Sequence, residues 1–124
     1  DLGGGLGIPY DGTLSAPPSP ADYGAMVKRV TAGWGVKLLF EPGRLIVGNA
    51  GVLVSRVIRV KDGLATKFVV LDAAMNDLIR PSLYDAYHAV RAVRPRGGEM
   101  TATIVGPVCE TGDTFGEGRV LTPV

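Results

Sequence analysis

The chain has 124 residues and a formal net charge of +1, which fits one ordinary domain of roughly 100–200 residues and excludes a strong overall pull toward nucleic acid or an acidic membrane. Its single cysteine, Cys109, excludes an internal disulfide and a cysteine-rich zinc site and agrees with a reducing cytoplasm. The longest apolar stretch, RLIVGNAGVLVSRV, is broken by Gly, Asn and Arg well short of the ~20 residues that span a bilayer, and no basic-then-apolar signal segment opens the chain.

The first seven residues, DLGGGLG, read as a strand end running into a glycine turn, and IPYDGTLSAPPSP (8–20) as a loop with four prolines. A helix start follows. Ser19 can cap, Pro20 suits the first helical position, and Asp22 stands three residues past Ser19 as in a capping box. Tyr23, Met26, Val27, Val30 and Trp34 recur at helical spacing, which predicts one buried face, with Trp34 packing on it. Gly33 and Gly35 end the helix, and VKLLF (36–40) reads as a buried strand stopped by EPG. Residues 1–50 thus predict one βα unit and the next strand of a parallel sheet.

After Arg44 the pattern changes. LIVGNAG reads as one short helical turn, VLVSRVIRV (52–60) and TKFVVLD (66–72) as the strands of a hairpin around KDG, and TATIVGPV (101–108) as a further strand. AVRAVR (89–94) alternates like a strand, whereas AAMNDLIRPSLYDAYH (73–88) fits neither period. Residues 51–124 therefore predict a mainly antiparallel β domain, and the boundary falls near residues 48–51. The chain starts without Met and ends at RVLTPV without a closing element, so it is expected to be a piece of a larger protein.

Three short stretches can carry chemistry. Three adjacent glycines let backbone N–H groups approach an anion closely. The dinucleotide fingerprint fails, because Ile8 stands where a glycine is needed, and no Walker lysine follows; a plain tight turn is the competing reading. EPGR (41–44) offers Glu41 to a cationic ring nitrogen, and Gly43 and Arg44 to phosphate or carboxylate; alone it could equally be a Pro-Gly turn with a surface ion pair. GPVCETGD (106–113) holds Cys109. By itself that thiol reads as a small buried hydrophobe, a nucleophile or a proton donor. No Lys or His adjoins it in sequence to stabilise a thiolate, and an ordinary thiol is mainly protonated at neutral pH.

The stretches DLGGGLGIPYDG, FEPGR, MNDLIRPSLYDAYH and GPVCETGD, in this order and at these spacings, closely resemble the diaminopimelate decarboxylase family of pyridoxal-phosphate enzymes. The resemblance covers essentially the whole chain. The first two motifs are shared with related ornithine and arginine decarboxylases of the alanine-racemase-like barrel class; the last two are more specific to diaminopimelate. The family fold is a (β/α)8 barrel followed by a β domain, and a barrel alone takes about 250 residues. The resemblance therefore implies the last βα unit and final strand of the barrel in residues 1–50, and part of the C-terminal β domain in residues 51–124.

The same resemblance implies the site. The Gly4–Gly5 backbone holds the phosphate of pyridoxal 5'-phosphate, with Pro42, Gly43 and Arg44 lining that region. Glu41 keeps the pyridine nitrogen protonated. Arg44, Arg80 and Tyr84 grip the distal carboxylate of meso-2,6-diaminopimelate, and Glu110 accepts from its distal ammonium. Without the family match Arg80 reads as a solvated loop arginine. Cys109 becomes the general acid, on a loop that crosses a homodimer interface into the partner subunit's site. The family's Schiff-base lysine lies upstream; Lys28, Lys37, Lys61 and Lys67 do not occupy its place. No metal, nucleic acid or membrane is implied. Competing expectations are a related ornithine or arginine decarboxylase, and a piece that is noncatalytic as it stands.

Overall fold

The computed structural model describes residues 1–10 and 16–124; residues 11–15, in the proline loop, lie outside the described residues. The chain divides into two compact units, Asp1–Val52 and Leu53–Val124.

The first unit holds helix α1 (Pro20–Val30) and the short helix α2 (Gly43–Val47). The capping box forms as expected. The Asp22 N–H donates to Ser19 Oγ at 3.1 Å, and the Ser19 N–H donates back to the Asp22 carboxylate at 3.3 Å, satisfying two of the donors a helix start leaves open. Helix α1 stops at Val30, where Thr31 closes it through its N–H and hydroxyl on the Val27 carbonyl. The expected buried face is not buried. Only Val27 is enclosed, while Met26, Val30 and Trp34 are exposed, Trp34 at 54%. The unit supplies little surface to cover that stripe: Tyr23 meets Phe40 edge-on at 6.1 Å between ring centroids.

Residues 36–40 likewise form no regular strand, and Val36, Leu39 and Phe40 are exposed. The chain start lies alongside in the same direction. The Leu2 N–H donates to the Leu39 carbonyl at 3.0 Å, and the Glu41 N–H to the Gly3 carbonyl at 2.8 Å. Two bonds to one neighbour are too few to make a ladder, although their direction is that of a parallel pair.

The second unit is a four-stranded sheet of β1 (Val57–Asp62), β2 (Lys67–Leu71), β3 (Met100–Val105) and β4 (Thr114–Leu121), in that spatial order, with helix α3 (Arg80–Tyr84) between β2 and β3. The hairpin β1–β2 is antiparallel as expected, with its turn closed by the Gly63 N–H on the Thr66 carbonyl at 2.9 Å. Residues 52–56 lie outside it. Asp72 ties this lead-in down by accepting from Ser55 Oγ at 2.6 Å and from the Arg56 N–H at 2.7 Å. Those bonds, the Ser55 hydroxyl foremost, hold its carboxyl below the usual carboxylate range.

The expected mainly antiparallel character holds in two of the three strand pairings, while β2 pairs parallel with β3, so the sheet is mixed. Two expectations for this unit are corrected. AVRAVR is not a strand; among the described residues its backbone pairs with no neighbour. The stretch Thr114–Leu121, where no element is expected, forms β4 and pairs antiparallel with β3. The core forms on one face from Val69, Ala73, Ala102, Ile104, Phe115 and Leu121, with Val57, Leu71, Leu78 and Met100 packed at its margin. Ala102 and Ile104 alternate with more exposed neighbours along β3, the period-two pattern of a strand with one buried face.

Candidate functional site

The candidate residues fall into two groups, one in each unit. In the first, the structure joins the glycine turn to the EPGR turn through backbone. Gly4 lies so close to the Glu41 carbonyl that a Cβ there would sit 2.1 Å from its oxygen. Only glycine allows this approach. Gly3 and Gly5 take φ of +67° and +91°, with open space where side chains would stand. The Glu41 carbonyl also accepts from the Gly43 N–H at 2.7 Å, which turns the chain into α2. Arg44 stands on the first turn of α2, and both Glu41 and Arg44 are exposed. Among the described residues the ion pair present is Lys67–Asp62, so EPGR makes no internal Glu41–Arg44 bridge.

These features fit a phosphorylated pyridine cofactor. Glycine backbone without side chains leaves room for a bulky anion. An exposed carboxylate and an exposed guanidinium occupy the same short turn, one suited to a protonated ring nitrogen and the other to an anion.

In the second unit the path from β2 to β3 is anchored before it reaches α3. Ala73 and Ala74 are buried, Leu78 packs at the core margin, and Asp77 accepts from the Ala74 N–H at 2.8 Å. Helix α3 then presents Arg80 and Tyr84 one turn apart, the guanidinium carbon 5.5 Å from the ring centroid. That contact orients a cation whose N–H fork, among the described residues, makes no hydrogen bond and suits a carboxylate. Asp85, left-handed at φ 49°, ends the helix. Beyond it His88 is half-buried, and its pKa lies below the ordinary value because burial disfavours the imidazolium and the Arg80 charge repels it.

Cys109 and Glu110 lie on the loop that joins β3 to β4, and both are exposed. The buried-hydrophobe reading of Cys109 is thereby overturned; Pro107, Val108 and Thr111 around it are exposed as well. Glu110 Oε1 accepts from the Gly112 N–H and the Thr111 hydroxyl, both at 3.3 Å, which leaves lone pairs for an outside donor.

Two residues that sequence reasoning passed over organise this loop. Asp113 is 1% exposed. Its carboxylate accepts from the Met75 N–H at 2.7 Å and from the Val108 N–H at 2.8 Å. Ser82, on α3, donates its hydroxyl to the Gly112 carbonyl. The segment bearing Arg80 and Tyr84 is therefore fastened twice to the loop bearing Cys109 and Glu110. In sequence Asp113 follows a glycine and reads as a turn former; its burial depends on Met75, too far along the chain to be inferred locally.

Two surface hollows lie elsewhere. One is at the β1–β2 turn, around Asp62, Gly63 and Thr66; the other lies between Val90–Pro95 and the end of β4. Both are open to solvent and include none of the candidate residues. Among the described residues no cluster of His, Cys, Asp and Glu could hold a metal ion, and no helix is long and apolar enough to cross a membrane.

Comparison with known proteins gives a consistent picture. The family model described as pyridoxal-dependent decarboxylase, C-terminal sheet domain, matches residues 10–124. A diaminopimelate decarboxylase of Zymomonas mobilis is 57% identical over 124 residues, covering 100% of this chain and 30% of its own length. One from Neisseria meningitidis serogroup A is 50% identical over 122 residues, covering 98% of this chain and 30% of its own. The crystal structure of diaminopimelate decarboxylase from Helicobacter pylori complexed with L-lysine matches at a TM-score of 0.88 and 37% identity, over 98% of this chain and 30% of that one. The chain thus spans about 30% of the length of the curated relatives it matches.

Proposed function

Since the chain belongs to the pyridoxal-dependent decarboxylase family and carries its C-terminal sheet domain, we propose that its residues act, within a longer enzyme, in the decarboxylation of meso-2,6-diaminopimelate to L-lysine and CO2. The observation that carries this reading is that, inside one unit, the segment bearing the cation Arg80 is fastened through Asp113 and Ser82 to the loop bearing the acid Glu110. A substrate with an amino acid at each end needs a cation and an anion together at its far end. Ornithine has a distal ammonium and no distal carboxylate, so it would leave Arg80 without a partner.

The roles divide as follows. Residues 1–50 are the end of a cofactor-binding barrel and residues 51–124 part of the β domain. The Gly4–Gly5 backbone, with Pro42, Gly43 and Arg44, holds the phosphate of pyridoxal 5'-phosphate, and Glu41 keeps its ring nitrogen protonated. When bound, the cofactor supplies the electron sink for the pair left by departing CO2. Arg80 and Tyr84, with Arg44, hold the distal carboxylate, and Glu110 accepts from the distal ammonium. Cys109 holds a proton on Sγ and delivers it to the carbon that lost CO2. The exposure of Cys109 and Glu110 suits a loop that serves the site of a second subunit, so the working form is a homodimer, and a lone reduced cysteine suits the cytoplasm.

The test is Arg80→Ala in the intact enzyme. Loss of one charge-assisted hydrogen bond of about 1.5–3 kcal/mol lowers kcat/KM for diaminopimelate roughly 10- to 100-fold. Unchanged turnover, or an unmutated enzyme that prefers ornithine or arginine, would sink the reading.

A further inference from the structure

We propose that Asp113 is a positioning residue for this reaction: its buried carboxylate locks the loop carrying Cys109 and Glu110 to the segment carrying Arg80 and Tyr84, so that proton donor and substrate clamp are held as one body. The proposal rests on the roles given to those four residues above.

Every polar group of Asp113 is engaged. One carboxylate oxygen takes the Met75 N–H at 2.7 Å, and the other takes the Val108 N–H at 2.8 Å. Its own N–H donates to the Glu110 carbonyl at 3.0 Å, and its carbonyl accepts from the Gly106 N–H at 2.9 Å. The loop is thus drawn around one side chain that reaches out of it to a segment 38 residues earlier. Gly106 is shaped to this arrangement, because a Cβ there would lie 2.2 Å from a carboxylate oxygen. Neither bonded segment belongs to the sheet, so strand pairing does not hold the loop and the β2–β3 path together. Ser82 adds a second tie at the other side, to Gly112.

Both carboxylate oxygens face donors, and that makes the site selective for Asp. An Asn of the same shape can accept from only one of the two N–H groups and turns its NH2 toward the other. A donor then faces a donor in a buried place, which disfavours the locked arrangement. The loop and the path to α3 can then shift against each other while the sheet stays paired.

The experiment uses the intact holoenzyme with three variants: Asp113→Asn, Ser82→Ala and Cys109→Ala. For Asp113→Asn we expect faster amide exchange at residues 73–78 and 106–112, with protection of β2 and β3 retained. We also expect a roughly 100-fold loss in kcat, the size that a misplacement of about 1 Å produces, together with a raised KM for diaminopimelate, because binding groups move with the proton donor. A purely structural role would lower the fraction of active enzyme and leave KM and the per-site kcat unmoved, and that outcome overturns the proposal. So does a variant whose two segments stay protected. If Asp113→Asn does not fold, Ser82→Ala decides: faster exchange at 106–112 with a fall in kcat/KM supports the lock, and unchanged exchange and kinetics overturn it. Cys109→Ala separates the two layers. Wild-type turnover there overturns the role given to Cys109, whereas an impaired Cys109→Ala beside an unaffected Asp113→Asn overturns the positioning role alone.

Discussion

At the scale of single residues, His88 shows how the substrate clamp colours its surroundings. Its Nε2 is buried and, among the described residues, has no hydrogen-bond partner. Burial first, and the positive charge of Arg80 second, press its pKa below the ordinary value. The fold therefore favours the neutral ring. The stabilisation this brings is complete above the ordinary imidazole pKa of about 6.5, and it is lost as pH falls through the lower folded value, where the unfolded chain binds more protons. Arg80→Met removes the repulsion and leaves the burial. The His88 pKa is then expected to rise toward its ordinary value without reaching it. An NMR titration of the imidazole, assigned by its disappearance in His88→Gln, measures this; an unmoved midpoint would mean the Arg80 charge does not reach the ring. To a linear reading at this scale, Cys109 stands out as the single cysteine of the sequence, whereas Arg80 and Glu110 stand out only through the motifs that carry the family resemblance. Asp113 does not, because an acid after a glycine looks the same whether it is solvated or buried against a distant N–H.

At the scale of elements, the sheet owes its stability to one buried face carried by β2, β3 and β4. Ile104 on β3 is 1% exposed and Ile58 on β1 is 57% exposed. Ile104→Ala is expected to cost about 2–5 kcal/mol through lost transfer energy and the cavity left behind. Ile58→Ala should stay within about 0.5 kcal/mol, as surface substitutions usually do. Chemical denaturation of the two variants side by side checks the contrast, and equal losses would contradict the one-sided core. The local signals that were legible here are those that act over a few residues. The capping box of α1, the turn at Gly63 and the β-branched run of β2 all appear where the sequence puts them. The parallel direction of the β2–β3 pair was not legible, since no tight turn joins those strands and a strand's side-chain pattern is the same whether its neighbour runs parallel or antiparallel. Strand β4 was obscured by Gly116 and Gly118, which weaken strand propensity. The stripe on α1 specifies which face seeks cover and not what covers it, so Trp34 could be placed on that face and still be exposed.

At the scale of the whole molecule, the two units divide the proposed labour, with the cofactor residues and the substrate residue Arg44 in Asp1–Val52 and the other substrate residues in Leu53–Val124. Lys28 lies on α1, Lys61 on β1, and Lys67 on β2 in an ion pair with Asp62, whereas Lys37 lies outside any strand. None adjoins the glycine turn in sequence. The 124-residue chain mixed with pyridoxal phosphate and borohydride is therefore expected to show no single, stoichiometrically labelled lysine; peptide mass mapping reads the result, and one fully labelled position would overturn the expectation. The parallel pairing of β2 with β3 has a further, kinetic consequence. Hairpins β1–β2 and β3–β4 are local and can form within microseconds, but joining them requires residues 72–99 to loop back. The bond from Asp113 to Met75 spans that same excursion. Folding must therefore complete its most non-local, slowest closure before the segment bearing Arg80 is fastened to the loop bearing Glu110. During refolding the strands should regain their amide protection first, and the ability to discriminate a two-headed substrate should mature only afterwards.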